Sequence, residues 1–195
     1  MVQLPSAIAL FLDCDGTIRE PDPAKTQEKF LNHIDHVRLI PDVLSTEGCP
    51  SHIIDWFDKL LGYSQDGEPF IVLVSNQGGV ESGHVSFRMA KHVMEVTADL
   101  LYEQVCRPYS GRTVIMREHI LTFCAPYSGW LRKPAIGMFG AAEWRLLELG
   151  YHLNKTRSMM VGDRPEDEDA AYGACLAFKW AWQFFDRPDP DEEVL

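Results

Sequence analysis

An unbroken apolar segment that ends at two carboxylates is the feature that most restricts how this chain can fold. Residues 8–12 have the length of a β-strand, and their lack of alternation is typical of a strand covered on both faces. Asp13 and Asp15 follow at once, and Gly16 allows a sharp turn after them. Two like charges at the end of a buried strand repel each other unless a cation or a proton lies between them. The alternative interpretation is a solvated strand end with a turn.

Three further polar clusters follow segments that we predict to be strands. They are Ser75 and Asn76 after residues 70–74, Lys133 after residues 120–123, and Asp163 with Asp167 after residues 158–161. Each cluster alone is compatible with a turn, a helix cap or an exposed lysine. Together they combine carboxylates, which suit a cation, with a hydroxyl and an ammonium group, which suit an anion. The set therefore predicts a metal-assisted phosphoryl site.

Helical periodicity between the apolar segments gives an alternating pattern. It covers residues 51–61, roughly 85–105 and 134–149, and Pro134 suits the first turn of the last helix. Residues 177–181 are a plausible fifth strand, whereas residues 114–116 compete with 120–123 as the third. The pattern predicts an α/β, Rossmann-like fold with a parallel sheet of about five strands and helices on both faces. Ligands bind such sheets at the carboxyl ends of the strands, where the polar clusters lie.

The composition predicts one domain and limits its partners. The chain has 195 residues, 46% of them hydrophobic, which suffices for a single buried domain over residues 1–185. The formal net charge of −11 disfavours non-specific binding to nucleic acids and anionic membranes. This charge does not exclude phosphate binding at one site, where a few cationic side chains and a metal ion would make the local electrostatic potential positive. No segment has the length of a membrane span or the pattern of a signal peptide. We expect a cytoplasmic monomer without a membrane partner.

The cysteines agree with a reducing compartment. Their number is odd, their spacing is scattered, and no C-x-x-C pair occurs: Cys14, Cys49, Cys106, Cys124 and Cys175. We therefore expect free thiols rather than a disulfide framework.

Two segments lack clear periodicity. Residues 18–50 contain four prolines but are too apolar for a disordered linker, so we predict an ordered loop or short flap. Residues 186–195 hold five acids and two prolines, which predicts a loose acidic tail.

Four segments together resemble the ordered motifs of the haloacid dehalogenase (HAD) superfamily. They read D-C-D-G-T at 13–17, V-S-N-Q at 74–77, R-K-P-A-I-G-M at 132–138 and V-G-D-R-P-E-D at 161–167. The second and third are most similar to those of the subfamily III (IIIA) phosphatases, which include heptose-bisphosphate, histidinol-phosphate and polynucleotide 3′-phosphatases. The resemblance spans residues 8 to about 185, nearly the whole chain.

The resemblance implies an Mg²⁺-dependent phosphomonoester hydrolase that works through an aspartyl-phosphate. Asp13 would be the nucleophile, and Asp15 would protonate the leaving oxygen and then accept a proton from water. The Mg²⁺ ligands would be the Asp13 carboxylate, the Asp15 backbone carbonyl and Asp163, with Asp167 in support.

The remaining motif residues would bind the substrate. Ser75 and Lys133 would hold the phosphoryl oxygens, and Asn76 would position the nucleophile or the substrate. Members of this superfamily insert a cap domain after the first motif or before the lysine, and both stretches are too short for one here. The resemblance thus implies a capless, open site covered by the 18–50 flap, with Arg19 at its rim as a candidate substrate contact.

One departure from the family pattern concerns zinc. Heptose-bisphosphate and histidinol-phosphate phosphatases carry a C-x-H and C-x-C loop before the lysine, whereas Cys124 stands here without a partner at ligand spacing. We therefore expect no zinc. The segment F-C-A-P-Y-S-G-W-L-R-K-P at 123–134 looks closer to polynucleotide 3′-phosphatases.

Two substrate classes and one non-catalytic function stay open. The acidic charge favours a small phosphorylated metabolite, such as a sugar phosphate, over a polynucleotide 3′ end. The aromatic residues of 178–185 could stack a base, but we expect them to pack in the core. A non-catalytic phosphate-binding or regulatory module would be expected to lack Asp13 or Asp15, and both are present.

Overall fold

The computed structural model describes residues 4–44, 50–62, 66–109, 111 and 113–190. Its strands are β1 (Ser6–Leu12), β2 (Arg19–Pro21), β3 (Val37–Leu39), β4 (Glu68–Asn76), β5 (Ile120–Ala125), β6 (His152–Leu153), β7 (Met159–Gly162) and β8 (Ala177–Trp180). Its α-helices are α1 (His52–Leu61), α2 (Gly78–Glu81), α3 (Phe87–Leu101), α4 (Gly137–Glu148), α5 (Pro165–Gly173) and α6 (Ala181–Phe184).

Six strands form one sheet in which every pairing is parallel. Five of them follow the order β5-β4-β1-β7-β8, and the two-residue β6 pairs with the start of β1. This sheet confirms the predicted α/β fold of about five parallel strands. Because β1 lies between β4 and β7, the carboxyl end of the first apolar segment stands at the centre of the sheet edge.

Strand β1 packs on both faces, as its unbroken apolar sequence predicts. Ile8, Leu10 and Leu12 face the core that α1 and α3 cover, while Ala9 and Phe11 face the core that α4 and α5 cover. All five side chains are fully buried. The alternation of side chains along a strand thus divides one apolar run between two cores.

The helix boundaries follow local capping. Ser51 caps α1 through a hydrogen bond from the Ile54 N–H to its Oγ (3.5 Å), and Gly62 ends that helix at a φ of 53°. The predicted helix over 85–105 begins at α3 and continues past it as a π-helical turn (Tyr102–Cys106). The competing segment 114–116 lies outside the strands.

The predicted start of α4 at Pro134 is wrong. The chain makes further turns after Pro134, in which the Gly137 N–H donates to the carbonyl oxygen of Trp130 (3.0 Å). That turn, which spans residues 130–137, holds residues 133–136 outside the helix, and α4 begins at Gly137. Lys133 therefore belongs to an ordered loop between β5 and α4.

The flap is a small ordered unit. Strands β2 and β3 form a two-stranded antiparallel ribbon, and Leu31 and Val37 pack against Val93 of α3. The flap thus extends the surface next to the carboxyl edge of the sheet. Its residues 45–49, which include Cys49, lie outside the described part of the chain.

The predicted tail is not loose where it begins. The Arg187 guanidinium donates to both carboxylate oxygens of Asp42 (2.7 Å each) and to the carbonyl oxygens of Gly16 (3.0 Å) and Thr17 (2.7 Å). It also lies over the Phe185 ring, 4.8 Å from its centroid. Arg187 therefore connects the end of the described chain to the turn that follows Asp15; residues 191–195 lie outside the description.

The thiols that the structure describes are free, as expected for Cys14, Cys106, Cys124 and Cys175. Among the helices of the same described residues, none combines the length and the apolar character that a membrane span requires.

Candidate active site

The polar clusters meet at the carboxyl edge of the sheet and line a cavity of about 620 Å³. Asp13 follows β1, Ser75 lies at the end of β4, and Asp163 follows β7. The Asp13 N–H donates to the carbonyl oxygen of Val161 (2.9 Å), so the pairing between β1 and β7 extends to Asp13 itself. The parallel topology thus gathers side chains that are far apart in sequence.

Lys133 lies at the centre of the cluster and is 3% exposed. Its Nζ lies 2.5 Å from Asp13 Oδ1, 2.6 Å from Asp167 Oδ1 and 3.0 Å from the carbonyl oxygen of Val74. Burial lowers the pKa of this lysine, but Asp13 and Asp167 outweigh that effect and hold the pKa above its ordinary value. The ammonium group is therefore charged, and its three donors have fixed directions.

Asp13 is in an environment that opposes its charge. Burial raises the pKa of Asp13 to about 7, with Asp167 and Asp15 adding to the rise and Lys133 opposing it. Burial and the Asp167 charge likewise raise the pKa of Asp163. The cluster thus holds more negative charge than Lys133 alone neutralises, which favours binding of a cation.

Three carboxylates are placed to share such a cation. One oxygen from each of Asp13, Asp163 and Asp167 lies within 4.8 Å of the others. Hard oxygen donors of this kind suit Mg²⁺, which retains water on its other positions. The carboxylate of Asp15, whose position in the chain was also predicted to contribute a ligand, is not a member of this group. The resemblance assigned the backbone carbonyl of Asp15 to the metal, and that assignment stays a prediction.

Two glycines make room for this carboxylate group. Gly16 has a φ of 91°, and a Cβ there would lie 2.5 Å from Asp163 Oδ2. A Cβ at Gly162 would lie 2.4 Å from the Cβ of Asp167. Side chains at either position would displace a candidate ligand.

Asp15 makes four hydrogen bonds of its own. Arg19 donates to both carboxylate oxygens (2.9 and 3.1 Å), while Ser75 Oγ and Gln77 Nε2 donate to Oδ2 (3.3 and 3.1 Å). Burial raises the pKa of Asp15, but Arg19 and the donors from Ser75 and Gln77 outweigh it and hold the pKa below its ordinary value. Asp13 and Asp15 are thus two carboxylates with different environments.

The predicted position of Arg19 at the rim is wrong. Its side chain is fully buried and reaches from Asp15 to Thr97 of α3, where Nη1 lies 2.7 Å from Oγ1. A buried guanidinium group requires charged or polar partners, and Asp15 and Thr97 supply them.

Asn76 contacts the lysine rather than Asp13. Its Nδ2 donates to the carbonyl oxygen of Lys133 (3.0 Å), and its Oδ1 accepts from the Lys133 N–H (2.9 Å). Asn76 thus holds the loop that carries Lys133. It also lines the cavity, and its role in positioning the nucleophile or the substrate stays a prediction.

Sequence reasoning missed three polar residues of the site. Gln77 and Arg132 belong to the motifs at 74–77 and 132–138. Their polar side chains next to Asn76 and Lys133 could therefore have been predicted as site residues. Arg132 lines the cavity, and its buried Nη1 has no hydrogen-bond partner in the described chain. Thr97 gave no signal, because it is one polar position in an otherwise regular helical pattern.

The remaining expectations concern groups that point away from the site. Cys14 is buried in the core, where its Sγ lies 3.9 Å from Met94 Sδ, and burial raises the pKa of its thiol. Of the aromatic residues predicted to pack in the core, Phe184 and Phe185 are buried, whereas Phe178, Trp180 and Trp182 are half-buried. No aromatic residue of 178–185 lines this cavity. Phe30 of the flap lines it instead and is 73% exposed.

The chain is similar to known phosphatases. The family model described as polynucleotide kinase 3 phosphatase matches residues 8–174. A D-glycero-D-manno-heptose-1,7-bisphosphate 7-phosphatase of Thermosynechococcus vestitus is 26% identical over 92% of this chain and 81% of its own length.

Two solved structures share the fold. A protein described as a HAD-like phosphatase from Mesorhizobium loti has a TM-score of 0.58 and 26% identity, covering 91% of this chain and 73% of its own. The D,D-heptose 1,7-bisphosphate phosphatase of B. bronchiseptica, solved with magnesium and phosphate, has a TM-score of 0.56 and 19% identity, covering 88% and 78%. The chain therefore belongs to the polynucleotide kinase 3 phosphatase family and is a phosphatase of the haloacid dehalogenase superfamily.

Proposed function

We propose that this chain is an Mg²⁺-dependent phosphomonoester hydrolase that acts on a small phosphorylated metabolite through an aspartyl-phosphate on Asp13. The observation that supports this most is that Asp13 both contacts Lys133 and belongs to a carboxylate group in which one oxygen each of Asp13, Asp163 and Asp167 lies within 4.8 Å of the others. A nucleophile, a fixed ammonium group and a metal-type carboxylate group meet at one point. Such a set matches the requirements of phosphoryl transfer, which needs positioning and charge neutralisation above all.

The chain's own side chains account for each step. An Asp13 oxygen attacks phosphorus, and the bond from phosphorus to the leaving oxygen breaks as Asp15 gives that oxygen a proton. Arg19 favours the ionised form of Asp15, whereas the negative charge of the bound phosphoryl group would raise the pKa of Asp15 and favour the protonated form that this step uses.

When the substrate binds, Ser75 Oγ would turn its one hydrogen from Asp15 to a phosphoryl oxygen. The Lys133 ammonium group, held by Asp13, Asp167 and the carbonyl oxygen of Val74, would exchange one of these contacts for a phosphoryl oxygen. Water then attacks phosphorus, Asp15 takes its proton, and the bond between phosphorus and Asp13 breaks to release phosphate.

Asp13, Asp163 and Asp167 would hold the Mg²⁺, which when bound neutralises the charge of the phosphoryl group and of the carboxylates around it.

The charge of the cavity differs from that of the whole chain. Six acidic side chains line it: Asp13, Asp15, Glu20, Asp163, Glu166 and Asp167. Five cationic side chains line it as well: Arg19, Lys29, Arg132, Lys133 and Arg164. One divalent cation would therefore make the cavity attractive to an anion despite the net charge of −11.

The volume and the lining favour a small substrate. A cavity of about 620 Å³ suits a compound of metabolite size. Arg132, with its unpartnered Nη1, is a candidate contact for a second polar group of that compound. Because the curated relative is named for a heptose bisphosphate, sugar phosphates and bisphosphates are the first compounds to test.

A polynucleotide 3′-phosphate is the second candidate. The family description supports it, and so does the exposed Phe30 ring at the cavity, since bases stack on aromatic side chains. The acidic charge of the chain opposes it, because each neighbouring phosphate of a strand needs a cationic partner.

A comparison of kcat/KM for sugar phosphates and 3′-phosphorylated oligonucleotides at several salt concentrations decides between the two. We expect faster turnover of a sugar phosphate and a weak dependence on salt. Preference for the oligonucleotide, with affinity that falls steeply with salt and with Phe30→Ala, would reverse the assignment. Phe87→Ala, which removes an exposed ring that does not line the cavity, is the matched control.

A further inference from the structure

Arg19 is the largest fully buried side chain in the described chain, and it carries a charge. Its Nε and Nη2 approach the two oxygens of Asp15 at 2.9 and 3.1 Å, which is the bidentate geometry of a guanidinium–carboxylate pair. Its Nη1 donates to Thr97 Oγ1 at 2.7 Å. The buried group therefore links the proposed acid–base residue to helix α3.

Thr97 holds its end of this link in one orientation. Its Oγ1 donates to the carbonyl oxygen of Val93, one turn earlier in α3, at 2.7 Å. Since the hydroxyl hydrogen is used there, the hydroxyl oxygen faces Arg19 as an acceptor. Helix α3 thus orients the Thr97 hydroxyl, and that hydroxyl orients the guanidinium group of Arg19. The guanidinium group in turn fixes the plane of the Asp15 carboxylate.

The two oxygens of Asp15 are not equivalent in this arrangement. Oδ2 accepts from Arg19, Ser75 and Gln77, whereas Oδ1 accepts from Arg19 alone among the described residues. A carboxylate oxygen has two lone pairs, so Oδ2 is saturated and Oδ1 keeps one acceptor position.

We propose that Arg19, held by Thr97, is a positioning residue that orients Asp15 so that Oδ1 exchanges the proton with the reacting oxygens. The proposal rests on the proposed function, in which Asp15 is the acid and base. In the first step the proton moves from Oδ1 to the leaving oxygen as its bond to phosphorus breaks. In the second step a proton of the attacking water returns to Oδ1.

Thr97→Val tests this with little change in side-chain volume, because it removes the hydroxyl that orients Arg19. Two substrates separate positioning from general damage. p-Nitrophenyl phosphate has a leaving group that departs without protonation, whereas an alkyl phosphate needs a proton from the acid. A positioned acid contributes about 10²- to 10⁴-fold to such steps. Hydrolysis of the aspartyl-phosphate is common to both substrates, whereas kcat/KM reports the first step alone. We expect kcat/KM for the alkyl phosphate to fall by about tenfold or more and kcat/KM for p-nitrophenyl phosphate to fall by less than about twofold.

Two further variants complete the comparison. Arg19→Lys keeps the charge but loses the planar fork, so we expect the same selective loss of kcat/KM for the alkyl phosphate. Arg117→Met is the matched control, since Arg117 pairs with Glu95 and Asp99 of α3 on the outer surface and does not contact Asp15. We expect equal and small effects of this control on both substrates.

Equal losses of kcat/KM with both substrates, or no loss with either, would overturn the proposal. Crystal structures of the wild type and of Thr97→Val give a measure independent of turnover. We expect the Asp15 carboxylate of the variant to rotate away from Ser75 and Gln77, and an unchanged carboxylate would overturn the proposal as well. A wild-type protein that hydrolyses no phosphomonoester would contradict the proposed function, and the two structures would still decide the positioning role.

Discussion

Two hydrogen bonds join the side-chain amide of Asn76 to the backbone of Lys133, 57 residues later in the chain. The amide serves both the carbonyl oxygen and the N–H of Lys133, so it fixes the loop from which the ammonium group reaches Asp13. This contact explains how a lysine outside any helix or strand keeps a defined position.

We predict that Asn76→Ala lowers kcat by roughly 10- to 100-fold, because misplacement of a catalytic group by about an ångström costs that order of rate. Lys133→Met should lower kcat by at least as much. Since Asn76 acts through Lys133, the double variant should be no slower than Lys133→Met alone. Losses that multiply in the double variant would show that Asn76 has a separate role.

Mg²⁺ should stabilise the fold through the carboxylate group. A ligand at a hundredfold excess over its Kd adds about 2.7 kcal/mol to the free energy of unfolding. For a chain of this size that corresponds to a rise of roughly 5–10 °C in Tm. We predict this rise for the wild type.

Asp163→Asn provides the sharper test of the same site. It removes a negative charge from a crowded group, so the metal-free protein should be as stable as the wild type or more stable, while the Mg²⁺-dependent rise in Tm is largely lost. Asp169→Asn, at an exposed position of α5, is the control and should keep the rise. A full rise in Asp163→Asn would show that the ion binds elsewhere.

We predict that the purified protein contains no stoichiometric zinc. Cys124 lies in β5 and His119 lies beside Glu68, with Nε2 and Oε1 3.7 Å apart, and these two side chains alone make an incomplete site. Elemental analysis of the protein checks this. About one zinc per chain, lost together with the fold in Cys124→Ser, would contradict it.

Arg187 should contribute to stability by tying residues near the end of the chain to the turn after Asp15. We predict that Arg187→Met lowers the free energy of unfolding by roughly 1–3 kcal/mol, since it removes charge-assisted hydrogen bonds to Asp42, Gly16 and Thr17. Urea unfolding measures the difference. Arg38→Met, which removes the half-exposed pair with Glu20, should cost at most about 1 kcal/mol. Equal effects of the two variants would contradict the prediction.

The parts of the site that the sequence predicts are those attached to buried strands. Asp13, Ser75 and Asp163 each follow an apolar run that has one plausible structure, and parallel strands bring their carboxyl ends to a common edge. An apolar segment followed by a polar residue is recognisable from neighbouring residues alone, so the sequence suffices to predict it. The position of Lys133 is also predictable, because the apolar segment that forms β5 comes shortly before it in the sequence. The helix after Lys133 nevertheless begins later than Pro134 suggests.

The parts that the sequence does not predict depend on contacts between distant segments. Arg19 stands in a proline-broken flap, and a charged residue there is ordinarily exposed. Its burial depends on Thr97, which is 78 residues away and has no distinguishing pattern around it. The start of α4 depends on a nearer contact that also has no sequence signal, the hydrogen bond between Trp130 and Gly137, rather than on the preference of proline for a first helical turn.

Asp15→Asn offers the most direct measurement of the central claim, which is that Asp13 carries the phosphoryl group. Because the amide in this variant cannot accept the proton of the attacking water, the second step should become slow and the intermediate should accumulate with a reactive aryl phosphate. Acid quenching followed by peptide mass spectrometry then locates the added group. We predict close to one phosphoryl group per chain on Asp13, and none in the additional presence of Asp13→Asn. A phosphoryl group on another residue, such as Cys14, or continued turnover in Asp13→Asn would contradict the account.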